Sequence, residues 1–535
     1  MITHHTMVRF TVIWIVLPFI LYYMSSCNRD QITRLTVKIL DAESGLPTAV
    51  RVRLTDRNNV TAPLPDEAIG VMYGRNDVAE GFAFQPDSAF YVDGTFTVEL
   101  KPGKYRLILT KGFEYTGQQH EIDLQEGEKK SLTVVLDRWI NMPARGWYSA
   151  DDHIHIRRSP RENPLILKWV AAEDIHVGAL LQMGDFWTTY YAQYAWGKSG
   201  VYQLEKHLLT SGQEDPRTHE IGHTILLAQD SSVRFNQQYY AYDRVFDRVH
   251  ELGGLTGYAH QGMSFHGYRG MTLDVLQGKV DFLELLQFCV EDGPLHLDHY
   301  YHFLDLGYRL TATAGSDFPW CGKSSGWDAQ IGNARFYTYV GETFTFDSWK
   351  KNFKAGHTFV SSGPMLDLKV NDNLPGSNLE VDRGSVVKIH AEAYGHPDRV
   401  PLQSLEIVAH GKVIGKATSS GPEQSSQRLY IEMELPIDKG QWIAARCRAG
   451  DLQMAHSTPV YVTINEGGFM NPETAERYLA LSEEYLQELE DEISERDDRM
   501  DYHAWRYKKE LEERISETRL ILENIGDKWK NYNPK

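Results

Sequence analysis

The sequence predicts a multidomain protein that is α/β in its centre and β on both sides, and three observations predict this fold class. Alternating apolar and polar residues, broken by frequent turns, occupy about 31–140 and return over 366–465, which is typical of β-sandwich domains. From about 145 to 365, apolar strand patterns alternate with amphipathic helical segments. This alternation favours a parallel sheet or barrel. After residue 467 the pattern becomes helical.

The N-terminal β region consists of short alternating segments. Residues 35–40 and 50–54 alternate on either side of a turn-rich stretch. The segments DGTFTVEL (93–100) and YRLIL (105–109) flank the turn KPGK, and we expect them to form a β-hairpin. The pattern is similar to carboxypeptidase-regulatory-like or prealbumin-like domains. The resemblance implies a spacing or binding role for residues 27–142.

The central region, 143–365, carries candidate strands that are apolar throughout. These strands are 176–181, 224–228, 255–259, 282–286 and 309–314. Amphipathic stretches such as 242–250 separate several of them. In barrels the chemistry lies where the strands end. The pair His153/His155, together with His260 and Asp317, falls at such ends.

The C-terminal part divides into a second β domain, 366–466, and a helical segment, 467–535. A charged break near 497–498 separates two helices of this segment. The apolar positions of the first helix are Leu479, Leu486, Leu489 and Ile493. We expect a helical hairpin that packs on the body of the protein. A coiled-coil surface for a partner is the alternative, but the periodic stretch is too short to favour it.

Length and charge narrow the possible functions. A chain of 535 residues is long enough for two to four domains. Its formal charge of −18 argues against a nucleic-acid partner, because like charges repel over the whole surface. A cationic pocket can still exist on an acidic protein, so small anionic substrates stay open. Cys289, Cys321 and Cys447 are scattered and do not resemble a disulfide framework or a zinc knuckle.

The N-terminus has the pattern of a targeting segment. Arg9 precedes an apolar stretch, 10–24, that ends in Ser25-Ser26-Cys27. We expect residues 1–26 to be a signal peptide and Cys27 to resemble the lipid-modified cysteine of bacterial lipoproteins. An uncleaved N-terminal anchor is the alternative, although the apolar stretch is short for a membrane span. Both interpretations predict an exported protein, periplasmic or on the cell surface, that contacts a membrane through its N-terminus.

The segment SADDHIH (149–155) carries the first sign of metal chemistry. Residues two apart in a strand face the same side, so His153 and His155 can direct two imidazoles at one point. Two imidazoles and a carboxylate form a common transition-metal site. Alone, the pair is more often a chance arrangement on the surface. Its significance comes from further motifs at strand ends: GQE (212–214), GH (222–223), GYAH (257–260) and GSD (315–317).

As a series in this order, the motifs resemble the PHP (polymerase and histidinol phosphatase) superfamily of metal-dependent hydrolases. The CehA/McbA-like metallohydrolases are the most similar branch. The segments that carry the resemblance are GWYSADDHIH, GQEDPRTHEIGH, GYAHQG, VDFLELLQF, ATAGSDFP and FKAGHTFVSSGP. It covers about residues 145–370. The resemblance implies a PHP-type distorted (β/α)7 barrel over 143–365, flanked by the two β-sandwich domains and the hairpin.

The resemblance also implies a set of metal ligands. One ion would be held by His153, His155, Glu214 and Asp317. A second ion would be held by His223 and His260, with Glu214 bridging the two. Imidazoles with carboxylates suit Zn²⁺, Mn²⁺ or Fe²⁺ and argue against a dedicated Ca²⁺ site. Two such ions can share a hydroxide and polarise the bond to be cleaved.

Three positions depart from the trinuclear members of the superfamily, which use further histidines there. The residues in this sequence are Arg161, Phe186 and Pro319. None of these side chains is a metal ligand, so we expect no third ion. The cofactor expected is one or two divalent transition-metal ions.

Each proposed ligand has an ordinary structural alternative. The histidines could be buried residues with no metal. Asp215 or Glu220 could replace Glu214 as the bridging carboxylate. Asp317 could be a turn residue, because Gly-Ser-Asp before Phe-Pro favours a turn.

Further candidates surround the proposed ligands. Asp152 and Asp185 could act as proton shuttles, and Asp152 and Glu284 could orient ligating histidines through hydrogen bonds. Arg335 could clamp a carboxylate or phosphate, or form a structural salt bridge.

Two segments next to these candidates have open roles. Arg157-Arg158 could bind an anionic substrate or be solvated. The aromatic run 185–196 could form a pocket wall or cover the core.

These features predict an exported metal-dependent hydrolase. A metal-bound hydroxide would attack a phosphoester, carbamate, ester or amide centre in a small-molecule substrate. Anionic and carbohydrate-linked substrates both fit the sequence. The alternative is a non-catalytic lipoprotein that binds glycans or surfaces through its β domains and has a degenerate metal barrel.

Overall fold

A computed structural model provides the structure of the chain. The residues it describes are 32–72, 80–81, 89–185, 187–260, 264–287, 295–319, 330–399, 401–420, 425, 427–465, 467–495 and 504–532. The predicted signal peptide, the lipid-attachment residue Cys27, Phe186, Cys289 and Cys321 lie outside these residues. Cys447 is a buried free thiol.

The protein is a mixed α/β chain that consists mostly of strands arranged in several sheets. The strands are β1 (Arg34–Asp41), β2 (Ala49–Asp56), β3 (Val71–Met72), β4 (Glu80–Gly81), β5 (Phe90–Asp93), β6 (Thr95–Glu99), β7 (Gly103–Thr110), β8 (Gln118–Leu124), β9 (Lys129–Leu136), β10 (Trp147–Ile154), β11 (Val177–Gly184), β12 (Thr189–Tyr190), β13 (Tyr202–Leu204), β14 (His207–Glu214), β15 (Arg217–Thr218), β16 (Gly222–Leu227), β17 (Leu255–Tyr258), β18 (Phe282–Leu286), β19 (Thr311–Ala314), β20 (Arg335–Tyr339), β21 (Thr358–Ser361), β22 (Met365–Val370), β23 (Asn378–Val381), β24 (Ser385–Tyr394), β25 (Ser404–Ala409), β26 (Lys412–Thr418), β27 (Arg428–Ile437), β28 (Gln441–Arg448), β29 (Met454–Ser457) and β30 (Val460–Ile464).

Helices are fewer than strands in the described ranges. The α-helices are α1 (Asn163–Ala172), α2 (Tyr242–Glu251), α3 (Gly267–Leu276), α4 (Asp298–Asp305), α5 (Phe346–Lys354), α6 (Ala475–Glu495) and α7 (Ala504–Tyr532). Short 3-10 helices span Pro143–Arg145, Gly197–Gly200 and Ser264–His266. No helix within the described ranges combines the length and the apolar character that crossing a bilayer requires.

In the N-terminal region two sheets enclose one hydrophobic core. One sheet has the order β6-β1-β9 and the other β5-β2-β7-β8. The predicted hairpin of 93–100 with 105–109 is therefore wrong, because β6 pairs with β1 whereas β7 pairs with β2 and β8. The turn between β6 and β7 carries the chain from one sheet to the other. Both strands still alternate because each directs apolar side chains into the shared core.

The central sheet has the order β10-β11-β14-β16-β17-β18-β19 along its main ladders. The pairs β10–β11, β11–β14, β17–β18 and β18–β19 are parallel, as the apolar strand patterns predicted. The strand β16 is antiparallel to both neighbours, so the sheet departs from the predicted parallel arrangement at this position. The link between β14 and β16 contains no helix, and a parallel crossover needs a dozen residues or more.

The reversal of β16 decides where its side chains lie. The strand β14 ends at Glu214, and β16 begins at Gly222. Since the two strands are antiparallel, the start of β16 lies at the same edge as the end of β14. The ends of β10, β17 and β19 reach this edge too, because these strands run in the direction of β14. This edge is where the predicted ligands meet.

The C-terminal β region continues from the central sheet. The strand β21 pairs with β20 on one side and with β29 on the other. A second sheet with the order β22-β24-β27 packs over a core that it shares with β25 and β28. The two regions are therefore joined by backbone hydrogen bonds.

The helices α6 and α7 run antiparallel and pack on the central region. Arg519 pairs with Glu483, and the Trp529 indole donates to the carbonyl oxygen of Pro472 at 3.2 Å. Apolar side chains of both helices belong to the same buried core as Phe282 of β18; these side chains are Leu486, Leu489, Ile493, Leu511, Ile515 and Leu522. These apolar faces are thus turned towards the body of the protein, as the sequence predicted.

Candidate metal centre

The histidines of β10 form the first half of the site. His153 and His155 are fully buried, and each directs Nε2 at Asp317. The distances from these two Nε2 atoms to Asp317 Oδ1 are 3.3 and 3.2 Å. Within the described part of the chain, neither Nε2 makes a hydrogen bond. Two buried imidazole nitrogens therefore converge on one carboxylate without a hydrogen-bond partner of their own.

Glu214 lies between this half and a second histidine pair. Its Oε2 is 3.4 Å from Nε2 of His155 and 3.9 Å from Nε2 of His153. Its Oε1 is 2.7 Å from Nδ1 of His223 and 3.6 Å from Nε2 of His260. The two groups His153/His155/Glu214 and Glu214/His223/His260 are both compact enough to hold a metal ion. Glu214 thus gives one oxygen to each group.

The backbone turns sharply at two of these residues. His260 has φ of 25° and Asp317 has φ of 51°, both in the left-handed region that non-glycine residues rarely adopt. Each follows a strand end, β17 for His260 and β19 for Asp317. These turns bring His260 beside Glu214 and Asp317 beside His153 and His155.

Glu284 of β18 accepts hydrogen bonds from residues of both histidine pairs. Nδ1–H of His153 donates to Glu284 Oε1 at 3.1 Å, and the backbone N–H of His260 donates to Glu284 Oε2 at 2.6 Å. The amide of Gln287 donates to the same Oε2 at 3.0 Å. The sequence predicted a positioning role for Glu284, and these contacts are of that kind. They leave the Nε2 lone pair of His153 directed at the ligand cluster.

Asp151 is a site residue that the sequence reasoning missed. Its Oδ1 accepts from the backbone N–H of His153 at 3.1 Å and of Ser316 at 3.0 Å, and its Oδ2 accepts from Gly332 at 2.8 Å. Burial raises its pKa to about 6. The sequence could have indicated this role, because Asp151 lies two residues before His153 and therefore on the same side of the strand as His153 and His155.

Gly315 is required where β19 leaves the sheet. A Cβ at this position would lie 2.4 Å from the Cβ of His153, 2.6 Å from Oδ1 of Asp152 and 2.8 Å from Oε1 of Glu284. Any larger residue would push these side chains apart. The glycine of the GSD motif therefore serves close packing against the ligand strand.

The electrostatics of the cluster favour a positive charge at its centre. Burial alone would lower the pKa of His153, but the carboxylates of Asp317 and Glu284 raise it well above its usual value. The pKa of Glu214 is well below its usual range, because Arg217 and His223 outweigh the effect of burial. Burial lowers the pKa of His223 to about 3. The carboxylates thus stay ionised, as metal ligands must be.

The structure separates Glu214 from the two carboxylates that could have replaced it. Asp215 accepts hydrogen bonds from Arg234 at 2.8 Å and from the Tyr239 hydroxyl at 2.6 Å. Glu220 accepts from the Tyr240 hydroxyl at 2.8 Å. Both are engaged elsewhere, whereas both oxygens of Glu214 face imidazoles.

Asp152 and Asp185, the candidate proton shuttles, lie in different surroundings. Asp152 is buried, and burial together with the Glu284 carboxylate raises its pKa well above the usual range. Asp185 closes a turn by accepting from the backbone N–H groups of Trp187 and Thr188, both at 2.8 Å. Burial would raise the pKa of Asp185, but a hydrogen bond from Tyr190 and these N–H groups lower it. Asp152 therefore lies behind the ligand cluster, next to Glu284. Asp185 instead makes its hydrogen bonds within its own loop.

Arg335 and Arg158 are buried among backbone acceptors. The Arg335 guanidinium donates to the carbonyl oxygens of Gly332 at 2.6 Å and Glu173 at 3.0 Å, and it stacks on Phe113. Arg158 donates to the Gly200 carbonyl and to the Ser211 hydroxyl, both at 2.6 Å. Arg335 therefore makes structural contacts, and it is not joined to the ligand cluster by a contact in the described residues.

The aromatic run divides between the two roles considered for it. Tyr191 is buried and its ring lies 5.3 Å from that of His155. Trp187 and Tyr194 are exposed. On the other half of the site, the exposed ring of Phe265 stacks on His223 with centroids 4.2 Å apart. Aromatic rings thus cover both histidine pairs, and sequence reasoning had not identified Phe265.

Of the three departures from the trinuclear pattern, two lie in the described residues. Arg161 is exposed, Pro319 is half-buried after Asp317, and Phe186 lies outside the described residues. Neither a comparison with models of known protein families nor a search among curated proteins finds a match to this chain. The geometry of the cluster is therefore the basis for assigning a function.

Proposed function

We propose that the chain is a metal-dependent hydrolase that holds one or two divalent transition-metal ions between β10, β14, β16, β17 and β19. The observation that carries the proposal is the position of Glu214, whose two oxygens face two separate histidine pairs. A carboxylate shared by two imidazole groups suits a pair of ions that act together.

The residues present fit such ions. The Nε2 atoms of His153 and His155 are buried polar atoms without a hydrogen bond in the described residues, which is costly unless something binds there. Imidazole and carboxylate ligands suit Zn²⁺, Mn²⁺ and Fe²⁺. Asp317 completes the first group through Oδ1.

The chain's own residues fix the ligands in orientation. Nδ1–H of His153 donates to Glu284, and Nδ1–H of His155 donates to the Leu181 carbonyl at 3.3 Å. In both rings this leaves Nε2 to act as the ligand atom. When bound, the metal would supply Lewis acidity to a water molecule and to the group that is cleaved. The rings of Tyr191 and Phe265 lie against His155 and His223 on the two sides of the cluster.

We also propose that the central sheet is the distorted barrel of the PHP superfamily and that the chain is similar to its CehA/McbA-like branch. The order of the ligand motifs along the chain supports this assignment. A further support is the parallel bridge between Ile154 and Phe318, which brings the segment after β19 back to β10. Export as a lipoprotein remains a proposal that rests on residues 1–27.

The test is hydrolysis by the full chain with and without metal. The chain is stripped with a chelator, reloaded with Zn²⁺, Mn²⁺ or Fe²⁺, and assayed on phosphoester, carbamate and carboxyl-ester substrates. We expect activity with at least one metal and its loss in His153→Ala. His390→Ala, on the C-terminal β domain, is the control and should retain activity. A chain that binds no metal, or a His153→Ala variant as active as wild type, would favour the non-catalytic binding protein.

A further inference from the structure

We propose that Arg217 forms an oxyanion subsite beside the metal centre, so that the substrate carries a phosphate or carboxylate group next to the bond that is cleaved. This inference rests on the proposed function and names its substrate class. Both groups present paired oxygens to a guanidinium, which binds them through a planar fork of N–H donors.

The position of Arg217 suits this role. It lies on β15, directly opposite His223 in the pairing of β15 with β16. Its Nε is 3.7 Å from Oε2 of Glu214. The Arg217 side chain is 24% exposed, whereas that of Glu214 is 3% exposed. The guanidinium therefore lies between the ligand cluster and solvent, where a substrate would enter.

The donors of Arg217 lack a strong acceptor. Of the residues that the structure describes, only Met183 accepts a hydrogen bond from this guanidinium, through its thioether sulfur at 2.7 Å. Thioether sulfur is a weak acceptor. The Nε atom is buried and makes no hydrogen bond. A guanidinium with five donors is thus held close to the site with most of its hydrogen-bonding capacity open.

Three other arginines of the central region differ from Arg217 in having oxygen acceptors, although Arg158 also has buried Nε and Nη1 atoms without a hydrogen bond in the described residues. Arg158 donates to a carbonyl and a hydroxyl oxygen, both at 2.6 Å. Arg234 forms an ion pair with Asp215 at 2.8 Å. Arg335 donates to backbone carbonyl oxygens. Each of these three has oxygen acceptors, as buried arginines need.

Charge leads to the same conclusion. The carboxylates of Glu214 and Asp317 contribute two negative charges, and the four histidines are neutral when they act as ligands. One divalent ion balances these two negative charges, and with a second ion the positive charge is in excess. The positive charge of Arg217 is then left over, and an anionic substrate group would balance it. The ordinary alternative is that Arg217 only offsets the charge of Glu214.

The experiment measures anion binding directly. The full chain is loaded with Zn²⁺ or Mn²⁺, its metal content is determined, and inorganic phosphate and acetate are titrated by calorimetry. The variants are Arg217→Gln and Arg217→Lys. Arg383→Gln is the matched control, because Arg383 is an exposed residue of the C-terminal β region. We expect Arg217→Gln to weaken binding of one or both anions about tenfold or more.

Arg217→Lys should lose less, since lysine keeps the charge but not the fork. Arg383→Gln should bind as wild type does. The inference is overturned if metal-loaded wild type binds neither anion, or if Arg217→Gln with full metal content binds both as tightly as Arg383→Gln does. A wild-type chain that takes up no metal instead overturns the proposed function. Metal content and anion affinity thus distinguish the two failures.

Discussion

Two buried charged clusters of this protein differ in how their charges are satisfied. The junction cluster, Glu114, Arg138 and Asp174, lies where the N-terminal β region meets the central region. Arg138 Nη1 is 2.8 Å from Glu114 Oε2, and its Nη2 is 2.7 Å from Asp174 Oδ1. The guanidinium also stacks on Tyr115. In the ligand cluster, by contrast, the Nε2 atoms of His153 and His155 face carboxylates without a hydrogen bond in the described residues.

The difference shows that burial of charge does not by itself identify a functional site. In the junction cluster one cation bonds both carboxylates directly, and burial together with the Asp174 charge raises the pKa of Glu114 to about 7, which reduces the remaining negative charge. In the ligand cluster two carboxylates and four imidazoles converge, and Arg217, whose Nε lies 3.7 Å from Glu214 Oε2, offsets only one of the two negative charges. A bound metal ion would supply the missing charge.

Breaking the junction cluster should destabilise the fold without removing metal. Arg138→Met leaves Glu114 and Asp174 buried without their cation, and we expect it to lower the free energy of unfolding by about 3–5 kcal/mol. Urea unfolding measures the loss. The control is Arg106→Met, which removes an exposed pair with Glu121 and should cost about 1 kcal/mol or less. If Arg138→Met lost metal at unchanged stability, the contrast would be wrong.

Breaking the ligand cluster should remove metal without destabilising the metal-free fold. Glu214→Gln removes the charge that both histidine groups share, and we expect metal affinity to fall more than about 100-fold. Added metal at 100 times the wild-type Kd should stabilise wild type by about 2.7 kcal/mol and the variant by less than about 0.5 kcal/mol. Thermal unfolding with and without metal measures this. Glu220→Gln is the control. Equal metal-induced stabilisation of Glu214→Gln and Glu220→Gln would contradict the prediction.

A smaller effect is expected behind the ligands. Glu284→Gln weakens the acceptor for Nδ1–H of His153, and we expect metal affinity to fall about 10- to 100-fold. Competition with a chelating dye measures the affinity. Asp185→Asn, in the turn at 185–188, should keep the wild-type value. An unchanged affinity in Glu284→Gln would show that Glu284 does not position the ligand.

The smallest effect concerns acid stability near the junction cluster. Burial and the neighbouring His207 lower the pKa of His176 well below its usual value. Above a pH of about 6.5 the ring is neutral in both the folded and unfolded states. As pH falls below that value only the unfolded state takes up the proton, so His176 lowers stability by up to about 1.4 kcal/mol per pH unit. His176→Gln should make the loss of stability between pH 6.5 and 5 less steep. An identical slope in the variant would refute this assignment.

Much of the ligand cluster could be predicted from sequence, because its residues follow strand ends in recognisable motifs. His153 and His155 share a strand face, and His260 and Asp317 follow apolar strands. The position of His223 at the beginning of a strand depends on the reversal of β16, which the pattern of β16 does not reveal. Strand direction is set by the length of the connection and by neighbouring strands.

Other features could not be predicted because they depend on partners distant in sequence. The segments 93–100 and 105–109 have the pattern of a hairpin, yet their strands belong to different sheets. Arg335 and Arg217 cannot be told apart by residue type. The structure surrounds the first with carbonyl oxygens and leaves the second with a thioether acceptor. Which acceptors a guanidinium meets depends on the fold, so it cannot be predicted from the residue type.

The central claim is that Glu214 joins two histidine groups into one metal centre. Its most direct test is the metal content of the full chain, measured by elemental mass spectrometry after equilibration with Zn²⁺, Mn²⁺ or Fe²⁺ and removal of free metal. We expect one or two ions per wild-type chain and a loss of that metal in Glu214→Gln. Equal metal content in the two proteins, or none in wild type, would contradict the claim.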